Sequence, residues 1–278
     1  MEFKLFDKER GIKLFKTIAI AIIVVGCSIT IKDELVWQLG GEYYDDSYSD
    51  EEYYGDCNVA IIDIKGFIDI EEYEEGNVGS SDIVWAIENA DQSKNIKAII
   101  LDIDSGGGYP IAGEEISNAL SRADKPTIAL IRGVGASAAY WAAVGTDRIF
   151  ASANSDVGSI GATMSYIDYA KQNQLDGLTY NSLSSGKFKD TGDPDKGLNY
   201  EEKQYFMRDI NILADNFIKA VAEKRGLSIG EVETLADGST VLGEKALEVG
   251  LIDEIGDLYA VRQYLSDLIG EEAVICWE

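Results

Sequence analysis

The sequence has no histidine among its 278 residues, and it has only three prolines and three cysteines. Without histidine, no Ser-His-Asp triad, Cys-His pair or two-histidine zinc helix can be built. A catalytic nucleophile would therefore need activation by a lysine, a carboxylate, a metal or the N-terminal amine. Basic residues are also scarce, because 24 Lys and Arg stand against 50 Asp and Glu, for a net charge of −26. That charge argues against a nucleic-acid-binding protein, since a phosphate backbone needs a basic face.

The three cysteines are Cys27, Cys57 and Cys276. An odd count at wide spacing matches neither a disulfide scaffold nor a zinc-binding pattern. A single bridge between Cys57 and Cys276 is compatible with the sequence, but no pattern supports it. Apolar residues make up 46% of the chain, which is enough for one large domain or two small ones.

An uncharged, β-branched run over residues 17–31 follows a basic segment and is bounded by Lys16 and Lys32. As a helix the run would reach roughly 22 Å, and its flanking lysines could snorkel to complete a span of roughly 30 Å. We interpret 1–16 as a basic cytoplasmic N-terminus and 17–32 as a transmembrane signal anchor, with a buried core helix as the alternative. Basic residues before the run and acidic residues after it predict a single-pass protein of the cell membrane, with its remainder extracytoplasmic.

Two other fates remain open for this N-terminal segment. It could be a cleaved signal peptide, and the four residues that end at Cys27 resemble a lipobox, in which that cysteine would be lipidated after cleavage. Residues 33–57 are predicted to form an acidic, Tyr-rich tether. Its stretch over 42–56 holds seven acids, five tyrosines and no base. It also has no aliphatic residues that could form a core. A sulfated or metal-binding tract is the alternative to a solvated spacer.

Residues 58–278 show alternating strand and helix patterns. Short β-branched or apolar runs predict strands over 59–64, 96–103, 127–131 and 148–151. Helices are predicted after the capping residues at 80–82, over 111–123 and over 136–143, with glycine-rich turns at 104–108 and 133–135. This order predicts an α/β fold in which a mostly parallel sheet is covered by helices.

A long helix is predicted over residues 200–225. Asn199 and Glu202 have the spacing of a capping box, and Gly226 provides a C-terminal stop. Five apolar residues recur on one face of this helix, and we interpret that face as part of the core. They are Phe206, Ile210, Leu213, Phe217 and Val221.

Ser137 follows a Gly-Val-Gly-Ala turn and precedes a run of small residues. Small neighbours would let a substrate carbonyl approach, and a helix N-terminus would stabilise negative charge there. By itself this run fits a structural N-cap serine better than a nucleophile. The earlier glycine turn, 105–108, could direct backbone N–H groups at a developing oxyanion, but it does not fit a phosphate loop. Without histidine, a lysine can act as the base if burial lowers its pKa.

The motifs taken in order resemble those of the signal peptide peptidase A family of Ser–Lys proteases. They are Ser-Gly-Gly-Gly at 105–108, Gly-Ala-Ser-Ala-Ala-Tyr at 135–140, Asp-Arg-Ile-Phe-Ala at 147–151, Val-Gly-Ser-Ile-Gly at 157–161, Ser-Gly-Lys-Phe-Lys-Asp at 185–190 and the closing stretch at 241–256. The resemblance covers nearly all of 59–265, and the N-terminal anchor fits it. It implies a ClpP/crotonase-like fold for a peptidase domain over 58–278.

The resemblance also implies site residues. Ser137 would be the nucleophile, and Lys189 the general base, because Asp190 and Pro194 follow it as in the family pattern. Lys187 is the second choice for the base. The backbone N–H groups of Gly108 and Ala138 would form the oxyanion hole. No metal or cofactor is required. Family members assemble into rings or domes, in which Ser and Lys can come from neighbouring subunits.

The sequence departs from the family pattern at two places. Gly106 stands where the first turn usually has proline, and Ala138-Ala139 stand where two glycines usually follow the nucleophile. The expected function is a membrane-anchored serine endopeptidase that cleaves extended hydrophobic peptides such as signal-peptide remnants. Two alternatives remain: a non-catalytic membrane scaffold of the same fold, and an acyl-CoA hydratase or isomerase.

Overall fold

The computed structural model describes residues 56–72 and 76–276. The predicted cytoplasmic segment, the signal anchor over 17–32, nearly all of the tether and Cys27 lie outside the described residues, so these assignments stay predictions. Of the helices between Asp56 and Cys276, none combines the length and apolarity needed to cross a bilayer.

Strands and helices alternate along the described chain. The strands are β1 (Val59–Asp69), β2 (Asn77–Gly79), β3 (Ala98–Gly108), β4 (Thr127–Ala136), β5 (Arg148–Ala151), β6 (Asp156–Gly158), β7 (Thr240–Leu242), β8 (Glu254–Ile255) and β9 (Ile275–Cys276). The helices are α1 (Ser80–Gln92), α2 (Pro110–Arg122), α3 (Ala138–Ala143), α4 (Ala170–Leu175), α5 (Tyr200–Arg225), α6 (Ile229–Glu233), α7 (Gly243–Glu248) and α8 (Leu258–Ile269).

The strands form one sheet in the order β2-β1-β3-β4-β5-β8. Strand β6 pairs with the C-terminal end of β4 and with β7, and β9 pairs with β1. Only the β6–β7 pair is antiparallel among the strands described. The prediction of a mostly parallel α/β sheet is confirmed.

Helices cover both faces of the sheet. On one face, Ile62 and Ile64 of β1 pack in the larger core cluster, to which α1, α2 and α3 contribute. On the other face, Ile100 of β3 packs in a smaller cluster with Val261 and Leu265 of α8. The first six residues of β3 are all buried, as expected for a strand covered on both sides.

The two glycine-rich turns predicted at 104–108 and 133–135 are wrong, because β3 and β4 continue through them. Gly107 pairs with Phe67 of β1, and Gly135 pairs with Ser105. The register shifts along both pairs, as is typical of a bulge. Glycine in a strand accommodates such a bulge and a close backbone approach, so here it marks an irregular strand and not a chain reversal.

Helix α5 has the predicted bounds and ends. The Asn199 side chain accepts a hydrogen bond from the Glu202 backbone, Glu202 bonds back to Asn199, and Gly226 is left-handed with φ 66°. The prediction that the whole apolar face is core is wrong for its N-terminal half. Phe217 and Val221 are buried, whereas Leu213 is 37% exposed and Ile210 lines an open cleft.

The described domain is closed by a Cys57–Cys276 disulfide. It joins Cys57, two residues before β1, to the end of β9. Asn58 donates a side-chain hydrogen bond to Glu271 and accepts one from the backbone N–H of Val274. No sequence pattern predicts this bridge, since only the fold brings two residues 219 positions apart to a Cα separation of 5.2 Å.

Candidate active site

Ser137 lies between β4 and α3 in an unusual backbone conformation. Its φ is 54° and its ψ is −125°, a region that non-glycine residues rarely adopt and that costs about 1–3 kcal/mol. The surrounding backbone holds it there, because the Ser137 N–H donates to the Gly158 carbonyl at 2.8 Å and its carbonyl accepts from Trp141 at 2.9 Å. Such strain is characteristic of a serine at a sharp strand-to-helix turn, where the hydroxyl is presented to a substrate.

The glycine-rich end of β3 lies directly against Ser137. A Cβ atom on Gly107 would come within 2.7 Å of Ser137 Cβ and 2.9 Å of the Ala138 nitrogen. The Ser105 hydroxyl fixes this backbone by accepting from the Gly107 N–H at 3.0 Å and donating to the Gly66 carbonyl at 2.6 Å. Glycine is therefore required at 107 both for its φ of 103° and for the close approach.

Ser137 opens onto a cleft of about 520 Å³. Gly108 and Ser159 contribute to its walls, together with Met207 and Ile210 of α5. The remainder is mostly glycine, alanine and small polar residues, with one acidic side chain, Asp237. A cleft with small residues around the hydroxyl and two flexible apolar side chains on one wall can accept an extended chain with apolar side chains.

The two residues predicted to supply oxyanion donors both lie next to Ser137. Gly108 ends β3 and lines the same cleft. Ala138 is buried and is the first residue of α3, where backbone N–H groups have no acceptor within the helix. The structure thus brings Ser137, Gly108 and Ala138 together at the C-terminal edge of the sheet.

Lys189 is not brought to this cleft within the protomer. It lies in the exposed segment over 163–199, which we name the arm, and it does not line the cleft. Within the described chain its ammonium contacts no carboxylate or hydroxyl. The second candidate, Lys187, instead forms a salt bridge with Glu201 at 2.6 Å.

Sequence reasoning missed several residues at this site. Ser159 has a φ of 51°, lines the cleft and donates from its hydroxyl to the Gly238 carbonyl at 2.9 Å. Its place between two glycines was the available signal. Met207 and Asn211 also line the cleft, and Ile210, interpreted as core, does so as well. Nothing in the helical periodicity could distinguish a core face from a cleft wall.

Asp102 is a buried carboxyl group of the sheet that a neighbouring base compensates only in part. Asp102 is buried on the α8 side of β3, and burial raises its pKa despite the guanidinium of Arg132 at 3.3 Å. Its Oδ1 has no hydrogen-bond partner in the described chain. Between residues 56 and 276, leaving out 73–75, no group of three or more acidic or cysteine side chains could hold a metal ion.

Relatives with protease names match much of the chain. A putative protease of Methanocaldococcus jannaschii is 35% identical over 172 residues, 61% of this chain and 55% of that protein. Protease 4 of Haemophilus influenzae is 29% identical over 216 residues, 77% of this chain and 35% of the relative. The chloroplastic serine protease SPPA of Arabidopsis thaliana is 30% identical over 63% of this chain and 26% of that one. The chain thus spans about half or less of the length of these relatives.

A solved structure shares the fold. A mutant form of ClpP1 from Listeria monocytogenes superposes with a TM-score of 0.50 and 16% identity, covering 71% of this chain and 91% of that one. At that identity the likeness shows the ClpP-like fold alone. The sequence pattern that defines Peptidase family S49 matches residues 119–270, which is more than half of the chain. The chain therefore belongs to Peptidase family S49.

Proposed function

We propose that this protein is a membrane-anchored endopeptidase that cleaves extended hydrophobic peptides, signal-peptide remnants among them, with Ser137 as nucleophile and Lys189 as general base. The observation that carries this proposal is the strained backbone of Ser137 at the mouth of a cleft. Strain of this kind persists only where the surrounding structure enforces it, and it concentrates at active sites.

The proposed reaction proceeds through an acyl-enzyme. Neutral Lys189 accepts the Ser137 proton as Oγ attacks the peptide carbonyl, and the N–H groups of Gly108 and Ala138 stabilise the oxyanion. The tetrahedral intermediate collapses, and the Lys189 ammonium returns the proton to the leaving amine. Lys189 then deprotonates the water that hydrolyses the ester. No metal or cofactor takes part in this sequence.

The base is proposed to come from a neighbouring protomer. The cleft walls described here contain no lysine or arginine, and the acidic side chain of Asp237 is their only charge. Ser137 therefore has no basic partner in its own described chain. A ring or dome in which the arm of one protomer reaches the cleft of the next would complete the site, and burial there would favour an uncharged amine.

The composition of the arm supports such an assembly. No residue from 163 to 199 is buried in the protomer. Yet the arm presents large apolar side chains to solvent, Leu183 being fully exposed and Leu175 83% exposed. Where such exposed apolar side chains come together, they mark an interaction site more often than free surface. We propose that the arm packs against other copies of the same chain.

Extracytoplasmic placement of the domain is likewise a proposal. It follows from the predicted anchor over 17–32, and the Cys57–Cys276 bridge supports it. Disulfides form and persist in oxidising compartments and are rare in the cytosol. Substrates near the membrane surface would then meet the cleft at the distance that the tether allows.

Covalent active-site labelling tests the proposal. The full-length protein in detergent is treated with a serine-directed fluorophosphonate or β-lactone probe, and the labelled peptide is mapped. We expect label on Ser137, no label in Ser137→Ala and strongly reduced label in Lys189→Ala, with all three proteins folded and of equal oligomeric state. Unchanged peptide hydrolysis by Ser137→Ala would refute the assignment.

The separation of Lys189 from the cleft favours one competing function, a non-catalytic membrane scaffold that keeps the oligomeric fold. A scaffold would assemble normally but would leave the wild-type serine unlabelled. The labelling experiment therefore discriminates between the two.

A further inference from the structure

Three charged side chains connect the Lys189 loop to the start of α5. The Lys196 ammonium contacts Glu202 at 2.5 Å and Asp190 at 3.3 Å. Glu202 is almost wholly buried, which is exceptional for a carboxylate. The hydroxyl of Thr191, the residue after Asp190, lies 3.5 Å from the Glu202 carboxylate. The buried Glu202 carboxylate is thus contacted by Thr191 and by Lys196, which lie near the start and the end of the loop that begins at Lys189.

Glu202 has two roles at once. Its carboxylate accepts the Asn199 N–H at 3.0 Å to complete the capping box of α5, and it also receives the Lys196 ammonium. The Lys196 contact lowers the pKa of Glu202, and the Glu202 contact raises the pKa of Lys196. Lys196 is thereby held as a cation and is unsuited to accept a proton. Lys196 therefore links the loop to the helix through its contact with Glu202.

The same helix forms a wall of the cleft. Met207 and Ile210 lie one and two turns beyond Glu202 on α5 and line the space before Ser137. On the loop side, Phe188 stacks on Tyr205 with 5.1 Å between ring centroids. Helix α5 therefore both contacts the loop with Lys189 and forms a wall of the cleft.

We propose that Lys196, Glu202 and Asp190 are positioning residues for Lys189. They hold the Lys189 loop at a fixed place on α5, so that Lys189 enters the cleft of the neighbouring protomer in a defined geometry when protomers assemble. This inference rests on the proposed function, because it assumes that Lys189 is the base. It adds residues that touch neither the substrate nor the reacting atoms.

The test compares two neighbouring glutamates. Glu202→Gln keeps an acceptor for the Asn199 N–H and so preserves the cap, but it removes the charge that binds Lys196. Glu201→Gln is the matched control, since Glu201 also bridges the loop to the helix but is exposed. We expect Glu202→Gln to lower kcat and the rate of probe labelling by about 10- to 100-fold with KM within about twofold of the wild type, because small misplacements of a catalytic group cost that much. Glu201→Gln should stay within about twofold in both constants.

A second pair keeps the test independent of the helix cap. Lys196→Met should reproduce the kcat loss, and Lys196→Arg should restore at least a third of the wild-type rate, because the guanidinium can still bind both carboxylates. The double variant Lys196→Met/Glu202→Gln should lose no more activity than either single variant, since both single variants remove the same Lys196–Glu202 contact. Melting curves and oligomeric state are measured for every variant.

The outcomes separate the two proposals. If Ser137→Ala is inactive while Glu202→Gln and Lys196→Met turn over at the wild-type rate, the positioning role is wrong and the proposed function stands. A change confined to KM, or a kcat loss that Lys196→Arg fails to restore, also overturns the positioning role. If Ser137→Ala retains full activity, the proposed function itself is lost.

Discussion

The sheet that holds Ser137 and the arm that carries Lys189 are built in opposite ways. Every residue of α3, which follows Ser137, is buried, whereas no residue between 163 and 199 is. The serine is held by backbone hydrogen bonds and close glycine contacts inside one domain. The lysine loop is held by side-chain contacts of the partly exposed Asp190, Lys196 and Phe188 and by the buried carboxylate of Glu202. Under the proposed function, this difference means that the proposed nucleophile is preorganised in the protomer, whereas the proposed base needs a second surface to complete its environment.

The largest expected effect comes from separating these two regions genetically. Ser137→Ala and Lys189→Ala should each lower the rate of hydrolysis by at least about 10³-fold, because removing one residue of a catalytic unit costs about as much as removing the whole unit. If the arm serves a neighbouring cleft, subunit exchange between the two inactive variants rebuilds sites with both groups. Half of the protomers supply each group, so activity should recover to about a quarter of the wild-type value in a ring of mixed subunits. Activity is measured before and after exchange; no recovery despite proven mixing would place the dyad within one protomer.

The same glycine substitution should have different consequences in the two regions. Gly107→Ala places a Cβ against Ser137 Cβ and Ala138 N at a φ of 103°, so it should cost roughly 3 kcal/mol or more and abolish probe labelling. Gly177→Ala in the arm also has positive φ, but a Cβ there meets nothing within 4 Å. It should cost only about 1 kcal/mol. Chemical denaturation measures both, and equal costs would contradict the proposed rigidity of the serine site.

Removal of the disulfide tests whether closure at the base of the sheet is independent of both regions. Cys57→Ser/Cys276→Ser should lower the free energy of unfolding by roughly 2–4 kcal/mol, because the bridge restricts the unfolded chain. Labelling of Ser137 should be unchanged under conditions where the variant is folded. Reduced wild-type protein serves as the control and should unfold at the same denaturant concentration as the variant.

The smallest effects concern pH, and the two regions should respond with opposite sign. Burial raises the pKa of Asp102 above 3.8, so its contribution to stability is greatest at low pH and is lost as the pH rises through the folded value. Asp102→Asn should therefore be more stable than the wild type at pH 7, and the difference should shrink toward pH 4. A difference in unfolding free energy that does not change with pH would show that Asp102 does not titrate as described.

For the arm, a hydrogen bond from Ser182 and the ammonium of Lys196 lower the pKa of Asp190. Its contribution is present above the unfolded pKa and is lost as the pH falls through the folded one. Asp190→Asn should be less stable than the wild type at pH 7, and the deficit should disappear in acid. Urea unfolding at several pH values measures both variants, and a deficit of Asp190→Asn that persists in acid would contradict this assignment.

The sequence by itself determined the features that depend on short-range chemistry. The order of β1, β3, β4 and β5 with α1, α2, α3 and α5 followed from periodicity, whereas the shorter strands and helices did not. Both ends of α5 followed from Asn199, Glu202 and Gly226. Motif order also picked out Ser137, which the fold places at the cleft with Gly108. These features need only neighbours within a few positions, and the sequence displays such neighbours directly.

Only the tertiary structure decided the rest. The glycine runs at 104–108 and 133–135 became strand, since their hydrogen-bond partners come from other strands. The apolar face of α5 divided into core and cleft wall, and Cys57 met Cys276 across 219 positions. The separation of Lys189 from Ser137 is of the same kind. Such outcomes depend on which distant segments pack together, and periodicity, capping and motif spacing carry no information about those contacts.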